Sequence, residues 1–335
     1  MGAPLIDAID QYYSLVATAD HKSHFSVPLP LLIPQKTPDL NLYHLDEDGD
    51  DFILLKDKGT VLTLNHVQNW ADQGHRHVFV ETTDLLKFTQ FVEGLLADLP
   101  SSSTLADEQK VNLLRKSSII VMADIFANPS VENINRGVKA VSGFVYLLIR
   151  DPKAYSMLMG LSSHDPYTLQ HSAGVATNSI ILANKIGITD EKSLIEVGVG
   201  GLLHDIGKTK VKREIINKPG KLDDVEWAEM KQHPKWGFEI LRHNTDVGTR
   251  AKLAVLQHHE EPSGSGYPLG LKKDQMDLYA KIVAIADIYN ALTTNRPYSN
   301  AMPPFEAFKL IKEKLSHKID DALFQALVMI YGGKS

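Results

Sequence analysis

The chain has 335 residues, 43% of them hydrophobic and 23% charged, with a formal net charge of -6. That balance fits a soluble globular protein with one large domain or two smaller ones. It argues against broad DNA binding, which needs an electropositive surface. The absence of cysteine excludes disulfides and thiolate ligands, so any metal site must be built from His, Asp and Glu.

The N-terminus lacks a basic segment followed by an apolar core, and no run of 18 apolar residues occurs anywhere. A cytoplasmic protein without a membrane segment is therefore expected. Residues 1–100 read as a small α+β regulatory or sensory domain. A weak helical pattern covers residues 1–19, and the proline-rich stretch from Val27 to Pro34 is unsuited to a central strand. Residues 41–45 and 52–55 flank an acidic turn around Gly49 and read as a hairpin. A calcium loop would need glycine where Asp51 stands, so a plain turn is expected. A short helix over 65–73, a strand over 77–80 and a helix capped by Asp84 complete the domain.

Ser101-Ser102-Ser103 marks a boundary, and a capping box of Thr104 and Asp107 opens a helix to about Ala127. With a second helix over 131–149, residues 101–150 read as a helical linker. From there to the C-terminus the pattern is helical, without strand-like alternation. Val175, Ala176, Leu182, Ala183 and Ile186 form an apolar stripe ending at Gly187, and His171 lies one turn before Val175 on that face.

His204 and Asp205 are placed in an apolar, hence buried, helix from Leu194 to Ile206. Asp287 sits inside the apolar run Ile282–Tyr289. An isolated buried carboxylate is costly unless paired or bound to a metal. His258-His259-Glu260, followed by Gly264-Ser265-Gly266-Tyr267-Pro268, makes a second polar cluster. Imidazole and carboxylate are both ligands for divalent transition metals, so the clusters point to a metallohydrolase.

Taken in order, His164-Asp165, His171-Ser172, His204-Asp205-Ile206-Gly207-Lys208, Lys218-Pro219-Gly220-Lys221, His233-Pro234, His258-His259-Glu260, Gly264-Ser265-Gly266-Tyr267-Pro268, Asp287 and Arg296-Pro297-Tyr298 resemble the HD-GYP family. That family is a branch of the helical HD metallohydrolases whose members hydrolyse cyclic di-GMP. The resemblance implies a mainly α, HD-type metal-binding bundle as a catalytic domain over 151–335. It implies hydrolysis to linear pGpG and/or GMP, with His171, His204, Asp205, His233, His258, His259 and Asp287 as metal ligands. Asp205 would bridge two metals and, with Lys208, form the catalytic pair. Lys208, Tyr267 and Arg296 would contact substrate, and a diguanylate cyclase domain could dock on the loop Gly266-Tyr267-Pro268. Tyr167 stands where some members carry a glutamate for a third metal, so two ions are expected. Histidine-rich ligation favours iron or manganese over magnesium.

The stretch from Lys208 to Lys221 holds six cations against Glu214 and reads as an electropositive rim for an anionic ligand. Asn290 and Ser299 replace an acidic and a basic residue of the family pattern, and Ser263 replaces an aspartate. The first two departures also fit a second reading. In it, a degenerate sensor binds a cyclic dinucleotide or a cyclase partner with little turnover.

Overall fold

A computed structural model describes residues 12, 23–46, 51–97, 118, 121–150, 168–294 and 301–332. The expected helix over 1–19 and most of that over 104–127 lie outside them, although 121–127 is helical. The chain divides into two compact units, Met1–Ile120 and Val121–Ser335.

The first unit has four strands, β1 (His24–Pro28), β2 (Leu42–Leu45), β3 (Phe52–Lys56) and β4 (His77–Glu81), in the order β1-β4-β2-β3. All pairings are antiparallel. Pro28 closes β1, an edge strand, where a residue without an N–H does least harm to the ladder. β2 and β3 form the expected hairpin, with an irregularity at Leu42/Tyr43. Asp46 uses its carboxylate within the turn, accepting from the Asp51 N–H at 3.2 Å. Helices α1 (Leu64–Asp72) and α2 (Leu85–Ala97) belong to the same unit. Phe25, Val27, Leu42, Val78 and Val80 share one core with Phe88 and Val92 of α2, the alternation of the strands sending these side chains inward.

The second unit is helical: α3 (Val131–Arg150), α4 (Thr168–Lys185), α5 (Glu191–Leu203), α6 (Arg213–Ile216), α7 (Asp224–Met230), α8 (His233–Leu241), α9 (Thr249–Gln257), α10 (Leu278–Thr293), α11 (Pro304–Lys314) and α12 (Asp321–Tyr331). Among the described residues its β structure is one isolated bridge, Ser263 to Lys272. The division falls at residue 120 rather than at the serine run, because α3 belongs to the helical core. Ile134, Val141, Phe144 and Val145 are buried, and α3 packs on α5. Residues 131–150 are therefore structural rather than a spacer.

α5 is the hub, packing against α3, α4, α9 and α10, and every residue from Val197 to Leu203 is buried. Asp190 caps it by accepting from the Ser193 N–H at 2.8 Å. Asp277 caps α10 and also takes a two-pronged contact from Arg250 of α9, at 3.0 and 3.2 Å. That contact sets α9 and α10 in register. No described helix is long and apolar enough to cross a membrane.

Candidate metal centre

The His204-Asp205 pair does not continue α5. The helix ends at Leu203, and a 3-10 turn, Ile206–Lys210, begins after Asp205. Gly207 shows why the chain changes course. A Cβ there would lie 1.8 Å from the His233 carbonyl oxygen, so this turn meets the start of α8 at backbone distance. Asp205 there faces His233, the first residue of α8, with Oδ1 3.3 Å from its Nε2. That histidine is 1% exposed, so it is a buried group and not a loop residue. His258 caps the end of α9, His259 follows it, His171 lies in the first turns of α4, and Asp287 lies mid-way along α10.

Seven side chains from five segments thus converge in two groups. Asp205, His233, His258 and His259 form one, and His171, His204 and Asp287 the other; within each, the potential ligand atoms lie within 4.8 Å of one another. Asp205 faces both ways: Oδ1 is 3.3 Å from His233 Nε2, and Oδ2 is 3.3 Å from His204 Nε2.

The ring nitrogens on the far side explain the orientation. Nδ1 of His204, His233 and His258 each donates to the carbonyl three residues earlier, of Gly201, Met230 and Val255, all at 2.8 Å. His171 Nδ1 donates to Asn290 Oδ1 at 2.7 Å. A ring protonated at Nδ1 turns a lone pair outward at Nε2. On this side His233 Nε2 is 3.3 Å from His258 Nε2, and His171 Nε2 is 2.9 Å from Asp287 Oδ1. Among the described residues the buried His204 Nε2 has no hydrogen-bond partner. Facing acceptors repel unless a cation lies between them, and the fixed far-side hydrogen bonds are those that orient metal-ligating histidines. This donor set fits divalent transition metals.

The family model described as "HD domain" matches residues 157–323. This segment is an HD domain. A Pseudomonas aeruginosa protein named as a cyclic di-GMP phosphodiesterase is 38% identical over 185 residues, 55% of this chain and 44% of its own length. A Vibrio cholerae protein named as a 3'3'-cGAMP-specific phosphodiesterase is 38% identical over 167 residues, 50% of this chain and 36% of its own. The chain thus spans less than half of either relative. A solved Bdellovibrio bacteriovorus structure, described as an HDG"Y"P protein, shares the fold with a TM-score of 0.64 at 24% identity, covering 92% of this chain and all of that one.

Burial governs protonation in the HD domain. It holds His233 down to about 4 and His259 to about 3, and takes His258 well below its ordinary value. These imidazoles are therefore neutral near pH 7, the form that binds metal. Burial alone would raise Asp205, but Lys208 and His204 overcome it and hold the carboxyl well below the usual range. Burial likewise lowers His204, and Asp205 reverses the sign. The depressed histidines carry a linkage consequence. Below 6.5 the unfolded chain takes up protons that native His233, His258 and His259 refuse, so native stability falls with pH. The melting temperature of metal-free protein should drop from pH 6.5 to about 4, with His204 opposing in part. A flat profile across that window would show that these rings are solvated.

Lys208 Nζ lies 2.6 Å from Asp205 Oδ2 and is 28% exposed at the side chain, so it borders the cluster. The expected basic rim is partly neutralised within the chain: Lys212 pairs with Glu229 at 3.3 Å and Lys218 with Glu226 at 2.5 Å. Lys210, Arg213 and Lys221 make no ion pair among the described residues. Tyr267 stacks on His259, ring centres 4.7 Å apart, and burial with the charges of Asp205 and Asp287 keeps its hydroxyl protonated. Arg296, Ser299 and Tyr167 lie outside the described residues.

Glu260 is the residue whose role sequence reasoning missed. It is 1% exposed and accepts from the N–H of Leu269 at 2.6 Å and of Leu271 at 2.8 Å, pinning the loop that carries Tyr267. Its place directly after two histidines was the available signal. Such charge-assisted bonds contribute about 1.5–3 kcal/mol each. Glu260→Ala should therefore lower the melting temperature by several degrees and loosen the loop, read as faster amide exchange at Leu269 and Leu271. Unchanged exchange there would remove Glu260 from this role.

Proposed function

We propose that the HD domain is a metal-dependent phosphodiesterase that hydrolyses cyclic di-GMP to linear pGpG, GMP or both. One observation carries the reading: Nε2 lone pairs and carboxylate oxygens converge in two groups, with one oxygen of Asp205 toward each. The P. aeruginosa relative supports the substrate. In this reading His171, His204 and Asp287 hold one ion, His233, His258 and His259 hold the other, and Asp205 serves both. Two ions, iron or manganese, would supply Lewis acidity and an acidified water.

The chain supplies the rest. Backbone carbonyls and Asn290 fix the rings, so no reorganisation is needed as charge develops. Lys208 and Arg296 would offset phosphate charge, and the protonated Tyr267 would donate to a phosphate oxygen. The Tyr267 ring over His259 keeps bulk water from the cluster. The loop Gly266-Tyr267-Pro268, next to the half-exposed Leu269, is also the proposed contact for a diguanylate cyclase domain.

The V. cholerae relative, equally similar at 38%, favours 3'3'-cGAMP as a second substrate. A time course with metal-loaded protein and each dinucleotide, resolved by chromatography, tests both. Linear product from cyclic di-GMP is the expected result. Product from 3'3'-cGAMP alone would move the assignment to the second substrate. Tight binding of either without product would favour a sensor.

A further inference from the structure

Trp227 is unused by this reading, yet it stands next to the residues that are used. It lies in α7 with 45% of its surface exposed, unusual for so large an apolar ring. Its ring centre is 6.1 Å from that of Tyr267, at an interplanar angle of 78°, and Tyr267 in turn stacks on His259 at 4.7 Å and 28°. Aromatic rings therefore lead outward from a candidate metal ligand to an indole open to solvent. The edge contact with Tyr267 fixes the indole's position while much of its surface stays free.

The indole is also well anchored. Asp223 caps α7 through the N–H groups of Val225 and Glu226, at 3.0 and 2.9 Å, and Lys218 pairs with Glu226 of the same helix. The segment leading into α7 carries Arg213 and Lys221, which make no ion pair among the described residues, so an approaching anion meets uncompensated positive charge. A rigid exposed aromatic ring, near cations and two ring spacings from a phosphodiester-cleaving centre, has the chemistry of a nucleobase platform. Every base has a π-face, and stacking needs no hydrogen-bond pattern.

We infer that Trp227 stacks a purine base of the cyclic dinucleotide and so positions the substrate over the metal centre. The inference rests on the phosphodiesterase reading and adds to it a base subsite. It makes Trp227 a substrate-binding residue whose loss weakens affinity and leaves the chemical step intact.

The test compares wild type, Trp227→Ala and Trp227→Phe. Cyclic di-GMP titrated into metal-free wild type should quench tryptophan fluorescence, and Trp227→Ala should lose that quench while Trp70 and Trp236 still emit. With metal-loaded protein, Trp227→Ala should raise KM roughly five- to a hundred-fold with kcat held within about two-fold, and Trp227→Phe should recover most of the loss. An unchanged KM and an undiminished quench in Trp227→Ala would overturn the platform while wild-type hydrolysis keeps the phosphodiesterase reading. Quenching at Trp227 without hydrolysis by wild type would do the reverse. An unchanged KM accompanied by altered sedimentation would assign the indole to contact between copies and overturn the proposal.

Discussion

Asp205→Ala should strip both metal ions, lowering content from roughly two per chain to near zero and turnover to about a thousandth of wild type. Oδ1 faces His233 in one group and Oδ2 faces His204 in the other, each at 3.3 Å, and the carboxyl is 3% exposed and ionised. Removing it takes a ligand and a charge from both groups at once. His233→Ala, which touches one group only, should release one ion preferentially. Elemental analysis after reconstitution separates the two variants. Two ions retained in Asp205→Ala would end the bridging assignment. If both variants lost metal equally, the seven side chains would form one cooperative site.

Asn290→Leu should weaken the His171, His204 and Asp287 group by about ten- to a hundred-fold in metal affinity, the usual cost of losing an outer-shell partner. Asn290 is 1% exposed, and its Oδ1 accepts from His171 Nδ1 at 2.7 Å. Leucine removes that acceptor and loosens the ring's hold on this tautomer. Gly174 belongs to the same device: a Cβ there would stand 2.3 Å from Asn290 Nδ2, so glycine lets the amide reach His171. Asn290→Asp should instead strengthen the group, because a carboxylate makes the imidazole a better donor. Stepwise metal titration reads both variants. In company with Ser299→Arg, Asn290→Asp should raise turnover several-fold with little change in melting temperature. A large shift in melting temperature with flat turnover would make both departures structural. Equal affinities in wild type, Leu and Asp variants would deny Asn290 its orienting role.

The elements legible in the sequence were those set by local chemistry. The β2–β3 hairpin follows from two apolar stretches around an acidic turn, and the helix expected over 131–149 after the break at Pro129 is found at Val131–Arg150. Asp287 stood out because an apolar helix leaves a carboxylate nothing to bind. The run from Leu194 to Ile206 misled, because periodicity cannot register that Gly207 must meet the His233 carbonyl, and that contact breaks the helix at Leu203. The basic rim was legible only in part. Its Lys212 and Lys218 find Glu229 and Glu226 on α7, acids seventeen and eight residues further along the chain.

By itself the sequence determined which groups are available: histidines and aspartates without cysteine, set in segments too apolar to tolerate them unpartnered. It also pointed to the helices that carry His171 and Asp287, since periodicity acts over a few residues. Only the tertiary structure decided how seven side chains divide into two groups, that Asp205 turns one oxygen to each, and that Asn290 sits behind His171. His171 and Asn290 are 119 residues apart, and Asp205 lies in the turn after α5 while Asp287 lies on α10. Such meetings depend on how α4, α5, α8, α9 and α10 pack, and packing is set by shape and buried area across the whole core, which no local pattern encodes.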